Sequence, residues 1–484
     1  LGERPAAAGG ERLRFMSLED RLYPLLRLYE AAPTWVRRSV GMTYRGLPAR
    51  LRLGKAYASF LALSRRFENA SPDEIAAWQF EQVRDMVRHA AATCPWYTRS
   101  FRDAGFEPAS MRSLEDLVRL PLLDKRTLQE HLPDLVSTAY PESARMYITT
   151  GGSTGVPVGF YLHKGVSRPK EQAYLETQWM RGGYFAGARL AVIRGQVTSP
   201  RAAGRIAYHD ATRDWLMLSS YHLTAERVPD YIEALERFRP NLIHAYPSAA
   251  LLLARHLEAS GRRWTLPLRG LLCGSEQMSL QQKRMVERVF GCRVYRWYGH
   301  AERVVLAGEG RTTDLFYFFP TYGYVEFGAP DEQGLCEVIG TSFHNRVMPL
   351  IRYRTGDYVK LADPASPREF PWPAAESFLG REQEFLVSAT GRRISLTAFN
   401  MHDGIFDGLY AVQFFQDSPG RAEFRYSPGP SFQAQQIPRM AARIREKLGD
   451  DFVVELRQVA EVEKTARGKH RWLVSRLPEG QGAA

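Results

Sequence analysis

Tyr147-Ile148-Thr149-Thr150-Gly151-Gly152-Ser153-Thr154-Gly155-Val156-Pro157 opens on a short apolar, strand-like run and continues as a hydroxyl- and glycine-rich loop suited to holding phosphate. Glycines admit positive φ and let backbone N–H groups approach an anion, while Ser153 and Thr154 add hydroxyl donors that can rotate onto phosphate oxygens. The same composition also describes an ordinary surface turn, so the loop alone leaves both readings open. It is not a Walker A motif, because no Gly-Lys-Ser/Thr follows at the required spacing and no lysine stands directly after Pro157.

On either side of this loop the hydrophobic pattern changes. From Ser17 to about Phe106 it is helical, begun by Leu22, Leu25, Leu26 and Leu28 and continued by Ile75, Trp78, Phe80, Val83, Met86 and Val87. Ser71-Pro72-Asp73-Glu74 predicts a helix start, with Ser71 capping and Pro72 in the first turn. After residue 145 short β-rich runs alternate with helical ones: Leu190 to Ile193, helical Val228 to Phe238, Leu242 to Ala245, helical Ala249 to Leu257, then Leu268 to Leu272. This alternation predicts an α/β domain on a largely parallel sheet. From Tyr322 to Val359 strands dominate, with a turn at Asp331-Glu332-Gln333-Gly334, which predicts an antiparallel section. The proline-rich Pro364 to Pro373 is expected to separate this section from a small last domain.

With 484 residues, 44% hydrophobic and 24% charged, the chain has the makings of a folded protein of two or three domains, at about 100–200 residues each. A net charge of +12 favours acidic partners such as nucleotides, coenzyme A, an acidic carrier protein or an anionic membrane surface, although an arginine-rich composition explains it equally. No recognisable nucleic-acid module accompanies the charge. Cys94, Cys273, Cys292 and Cys336 are scattered without metal-ligand spacing, which argues against a disulfide framework and for a reducing cytoplasm. The apolar runs fall far short of the roughly 20 residues of a membrane span. Residues 1–16 read as disordered, and the stretch up to Gly10 has no apolar core for a signal peptide or anchor.

Four further motifs follow the loop in order: Gly274-Ser275-Glu276-Gln277-Met278, Tyr298-Gly299-His300-Ala301-Glu302, Tyr353-Arg354-Thr355-Gly356-Asp357, and the pair Gly380-Arg381 with Lys464-Thr465-Ala466-Arg467-Gly468-Lys469. Together they resemble the signature of the adenylate-forming enzymes, which include acyl-coenzyme A synthetases, adenylation domains and luciferases. Ser219-Ser220-Tyr221-His222-Leu223, the run from Pro240 to Ser248 and Asn345 to Tyr353 look most like the phenylacetate-coenzyme A ligase branch, in particular its capsular-polysaccharide-associated members. The resemblance implies an α/β fold with a large domain over residues 17–380, comprising a helical lead-in (17–106) and a nucleotide- and acyl-binding core (107–380). Residues 381–484 would then be a small mobile α+β lid.

Adenylation joins a carboxylate to the α-phosphate of ATP, so the site must neutralise two anions that repel each other. By resemblance, Thr149, Thr150, Gly151, Gly152, Ser153, Thr154 and Gly155 cover the β- and γ-phosphates. Glu302 is the expected Mg²⁺ ligand, a hard oxygen donor that leaves other positions to water and phosphate. Tyr298 and Gly299 face adenine, and Gly274, Ser275 and Glu276 form the opposite wall, although Glu276 also reads as a plain turn residue. Asp357 is expected on the ribose hydroxyls, with Arg381 also reaching the ribose. After Arg381 the sequence carries Gln383 where a hinge aspartate is usual. Lys469 is expected to bridge carboxylate and α-phosphate when the lid closes, and Lys464 and Arg471 flank it.

The acyl pocket is expected near Ser220 to His222, with Tyr221 and His222, and near His244 to Pro247, with Tyr246, Pro247 and Trp297. An aromatic lining of this kind suits a flat or apolar acid, and core aromatics explain these residues equally. By resemblance His300 sits close to the expected reaction centre, where it could contact the acid; no general base is needed, because a carboxylate is already ionised at neutral pH. Where related proteins carry structural zinc ligands, this chain reads Ala307-Gly308-Glu309, Leu315-Phe316-Tyr317 and Glu376 to Arg381, so no zinc is expected. The expected substrates are a carboxylic acid, ATP with Mg²⁺, and coenzyme A. A carrier protein or an amine or hydroxyl, as on an amino sugar, is the alternative acceptor, and an inactive nucleotide-binding subunit the non-enzyme alternative.

Overall fold

The computed structural model describes residues 29, 32–150, 158–194, 206–223, 225–331, 334–379, 385–396, 406, 409–428, 432–463 and 472–477. The leucines at positions 22 to 28 therefore lie outside the described residues. The lead-in is helical from α1 (Thr34–Gly46) and α2 (Ala49–Phe67) through α3 (Pro72–Thr93), α4 (Pro95–Asp103) and α5 (Lys125–Leu135). Ser71 caps α3 by accepting from the Glu74 N–H at 3.2 Å, with Pro72 in the first turn. Val83, Met86, Val87 and Ala90 form the buried stripe of α3 and share one core with Leu123, Val338, Met348 and Ile351.

Polar contacts fasten the same helices to the segment that precedes the Tyr353 to Asp357 motif. The Tyr97 hydroxyl donates to the Pro349 carbonyl and accepts from the Ile351 N–H, both at 3.0 Å. His89 Nε2 lies 2.8 Å from the Arg346 carbonyl oxygen. Leu123 exchanges backbone hydrogen bonds with Arg352 and Arg354.

β1 (Arg145–Thr150) and β2 (Val158–His163) pair antiparallel, with Thr149 opposite Gly159 and Thr150 opposite Val158. The glycine-rich loop is thus the connection of a hairpin. Its residues 151–157, which include the candidates Gly151, Gly152, Ser153, Thr154 and Gly155, lie outside the described residues.

After α6 (Ser167–Arg181) come β3 (Leu190–Arg194), β4 (Ala207–Asp210), β5 (Trp215–Ser219), α7 (Val228–Phe238), β6 (Leu242–Ala245), α8 (Pro247–Ala259), β7 (Gly270–Gly274), α9 (Leu280–Phe290) and β8 (Val294–Gly299). Then follow β9 (Leu306–Glu309), β10 (Phe316–Phe318), β11 (Gly323–Phe327), β12 (Leu335–Ser342), β13 (Tyr353–Leu361) and β14 (Ala374–Leu379). They make one mixed sheet in the order β11-β12-β13-β14-β10-β9-β8-β7-β6-β3-β5-β4. β5, β3, β6, β7 and β8 are parallel, and from β8 onward to β11 every pairing is antiparallel.

The parallel strands are apolar runs because both faces are covered. Ala191, Ile193, Leu271 and Cys273 pack with α7, α8 and α9 on one face, while Leu190, Val192 and Leu272 pack with Tyr174 and Trp179 of α6 on the other. This two-residue alternation is what a strand in the middle layer of three requires. The stretch from Pro364 to Pro373 does not end the large sheet as expected. It is the connection from β13 to β14, and β14 returns between β13 and β10. Proline cannot donate to a ladder, so the run falls between strands and need not mark a domain edge.

Beyond it, β15 (Phe385–Val387) pairs with β16 (Arg393–Ser395). β17 (Leu409–Ser418), β18 (Arg421–Pro428), β19 (Val453–Gln458) and β20 (Leu473–Ser475) form a smaller sheet in the order β19-β18-β17-β20. Met440, Ile444 and Leu448 of α10 (Gln436–Leu448) share its core with Val412, Phe414 and Phe424.

Candidate active site

The five parallel strands end at Ser219, Arg194, Ala245, Gly274 and Gly299. β5 and β6 leave β3 on opposite sides, and such a switch point opens a crevice at the carboxyl ends of the strands. The candidate residues from Ser219 to Glu302 are carried by these ends.

The residues expected to line the acyl pocket form an aromatic cluster. Trp297 lies 5.3 Å from His244 and 6.4 Å from Trp179, and Trp179 lies 5.1 Å from His244, centroid to centroid. Gly274 makes room for Trp297, since a Cβ there would stand 2.3 Å from the indole. Arg194 lies over the Tyr246 ring at 4.6 Å, donates from Nη1 to His244 Nε2 at 2.7 Å, and donates from Nη2 to Ser275 Oγ. Ser275 holds φ at 72°, a left-handed conformation that is uncommon outside glycine and places its hydroxyl in this contact. Burial and the nearby Arg194 charge hold the His244 imidazole well below its ordinary pKa, so it is neutral. A guanidinium only donates, which makes Nε2 the acceptor and leaves the proton on Nδ1. Glu276 accepts from the Ser248 N–H at 2.9 Å and so covers the first turn of α8, beside Pro247.

The residues expected at the nucleotide form two hydrogen-bonded groups. The Tyr298 hydroxyl donates to Asp357 Oδ2 at 3.0 Å, and the ring stacks on Phe378 at 4.0 Å with 17° between planes. Phe378 thus covers one face of Tyr298, and an adenine would have to use the other. Glu302 is 6% exposed, with His300 Nδ1 3.1 Å from Oε2 and the Tyr353 hydroxyl donating to Oε1 at 2.7 Å. The Val305 N–H points at His300 Nε2, which leaves Nδ1 to donate to Glu302. Burial works against ionisation of Glu302, yet the His300 imidazole, the Lys125 charge and the Tyr353 hydroxyl outweigh it and hold the carboxyl well below the usual range. An ionised carboxylate with a second lone pair on each oxygen fits a hard cation whose other ligands are phosphate and water. Among the described residues no cluster of three or more His, Cys, Asp or Glu offers an all-protein metal cage.

Lys170 of α6 donates to the Arg303 carbonyl oxygen at 2.9 Å and lies 3.6 Å from the Tyr322 ring centroid. Burial brings its pKa down to about 7. Arg303 has φ 55°, and this bond pins the turn that directly follows Glu302.

The strand ends thus bring together Gly274, Ser275, Tyr246 and Trp297 around Arg194 and His244, and place the bonded pair Tyr298 and Asp357 next to the bonded group His300, Glu302 and Tyr353. Thr149 is buried in β1, and Thr150 ends that strand. The His222 ring turns back to Ser219 Oγ at 3.0 Å, while the Tyr221 side chain, Arg381 and Lys469 lie outside the described residues. Sequence reasoning missed Arg194, Trp179, Phe378, Tyr353 and Lys170. Arg194 had a readable signal, a charge closing the apolar run Leu190 to Ile193, and Tyr353 stood inside a quoted motif without a role.

No family model matches the chain. Phenylacetate-coenzyme A ligase of Pseudomonas putida is 26% identical over 340 residues, which is 67% of this chain and 75% of that protein. Protein CapK of Staphylococcus aureus is 22% identical over 284 residues, 57% of this chain and 61% of its own. Among solved structures, 2-hydroxyisobutyryl-CoA ligase in the postadenylation state with 2-HIB-AMP gives a TM-score of 0.54 at 18% identity, covering 85% of this chain and 91% of that one. The same ligase with 2-HIB-AMP and CoA in the thioesterification state gives 0.54 at 17%, covering 85% and 92%. These structures share the fold, a large mixed sheet with a smaller C-terminal one.

Proposed function

We propose that this chain, a phenylacetate-coenzyme A ligase-like member of the adenylate-forming superfamily, joins a carboxylic acid to AMP at the expense of ATP and then passes the acyl group to coenzyme A. The observation that carries the reading is the pair of hydrogen-bonded groups Asp357–Tyr298 and His300–Glu302–Tyr353, whose Tyr298 and His300 rings lie 6.1 Å apart, beside an aromatic cluster at the same strand ends.

Asp357 accepts ribose hydroxyls, and Tyr298 orients its carboxylate while meeting adenine on the face away from Phe378. Thr149 and Thr150 anchor the two-stranded base from which the glycine-rich loop reaches the β- and γ-phosphates. Glu302 would hold Mg²⁺, which when bound offsets phosphate charge. His300 and Tyr353 keep that carboxylate ionised and fixed, so it needs no reorganisation when charge builds in the transition state. Trp297, Tyr246 and His244 exclude water from the acid. Residues 381–484 are read as the lid, with Arg381 on the ribose and Lys469 between carboxylate and α-phosphate in the closed state.

ATP–pyrophosphate exchange across aryl, aliphatic and hydroxy acids tests the reading. Exchange with at least one acid, reduced by about a hundredfold or more in Lys469→Ala, is expected. No exchange with any acid would leave a nucleotide-binding subunit in place of an enzyme. The resemblance to capsular-polysaccharide-associated members favours a second reading, transfer to an amine or hydroxyl. Supplying coenzyme A or amino sugars and weighing the product decides between thioester and amide.

A further inference from the structure

Several buried arginines of this fold are neutralised by carboxylates. Arg181 pairs with Glu68 at 3.0 Å, Arg296 with Glu309, and Arg352 with Glu326 at 3.1 Å. A buried or half-buried charge without such a partner costs stability. Arg194 is half-buried and has none among the described residues. Its partners are a neutral imidazole, a hydroxyl and a tyrosine ring, and among the described residues no carboxylate stands within ion-pair distance of it.

The guanidinium is nevertheless held in one pose, by His244 on one nitrogen, Ser275 on another and Tyr246 beneath its plane. Two of its five N–H donors serve these bonds, which leaves a fork available to a planar oxyanion. It stands at the carboxyl end of β3, beside His244, against whose ring Trp297 and Trp179 pack. A fixed cation beside an apolar wall selects a ligand with charge at one end and carbon between.

We propose that the acid this site adenylates carries a second carboxylate, and that Arg194 receives it while the first carboxylate reacts at the nucleotide side. The inference rests on the adenylation reading above and names its substrate class: dicarboxylic acids with a short aromatic or aliphatic spacer. Arg194 sets specificity and takes no part in the bond changes.

Matched pairs test it in ATP–pyrophosphate exchange: phenylacetate against 4-carboxyphenylacetate, and butyrate against succinate. In the unaltered protein, kcat/KM for the better diacid is expected to exceed that of its monoacid by about tenfold or more, the usual worth of a charged hydrogen bond. Arg194→Gln is expected to abolish that ratio, and Arg194→Lys, which keeps the charge but not the fork, to retain part of it. Thermal melts identify a misfolded variant, and the ratio in the unaltered protein stands without either variant. Exchange with monoacids and no gain from a second carboxylate overturns this inference alone. A diacid preference that survives in Arg194→Gln, or an equal loss for both members of a pair, overturns the role of Arg194. Absence of exchange with every mono- and diacid overturns the adenylation reading and this inference with it.

Discussion

A Cβ on Gly274 would stand 2.3 Å from the Trp297 indole, with no room on that side of β7. Gly274→Ala is therefore expected to push Trp297 into the acid crevice at a cost of about 1–3 kcal/mol. Exchange kinetics should show a raised KM for the acid against a small change in the KM for ATP; equal changes in both would contradict this placement. At Glu302 the expectation concerns acid. Its folded carboxyl is held well below the usual range, so its contribution to stability is complete above the unfolded value of about 4.3 and is lost as pH falls through the folded one. Tyr353→Phe removes one donor from Oε1, raises the folded value and should lower stability at pH 7 by about 1–3 kcal/mol. The midpoint of acid unfolding should move to higher pH, and an unchanged midpoint would show the hydroxyl to be dispensable. Tyr298, His300, Glu302 and Asp357 could be put forward as candidates because each sits in a short motif of fixed spacing. Phe378 could not, because it reaches the site through strand pairing that brings distant segments together, and the charge closing the run Leu190 to Ile193 marked Arg194 without showing its partners.

The joint between α9 and the strands it covers is ionic. Lys283 on α9 is fully buried and bonds Glu309 of β9 at 2.8 Å and Asp314 at 2.6 Å, while Arg296 of β8 donates through Nε to Glu309 at 2.7 Å. Glu309→Gln leaves two buried cations short of a counter-charge and is expected to cost about 3–5 kcal/mol. Denaturant unfolding measures the loss, and a change below about 1 kcal/mol would mean that Asp314 and solvent compensate. The sequence showed that Ala307-Gly308-Glu309 lacks soft metal ligands; that its glutamate instead ties β8, β9 and α9 together depends on tertiary contact. The β3, β6 and β7 runs were legible as strands by their short, largely apolar character between helical stretches. β14 was hidden behind the prolines that precede it.

At the scale of the whole molecule, the helical lead-in is part of the large core. Val83, Met86 and Val87 share a cluster with Val338, Met348 and Ile351, and Tyr97, His89 and Leu123 bond the segment from Arg346 to Arg354. Removing residues 1–106 should yield an insoluble or molten chain, with strong dye binding to exposed apolar surface. A soluble, cooperatively melting truncation would show the core to be self-sufficient.

Tyr97 and the Pro349 carbonyl it grips are 252 residues apart. At synthesis rates of about 5–20 residues per second, roughly 13–50 s separate the emergence of the two. For that interval the apolar stripe of α3 has left the ribosome before the strands that cover it exist. Holding factors that bind nascent chains should engage this stripe first, and slowing translation downstream of residue 106 should prolong its exposure.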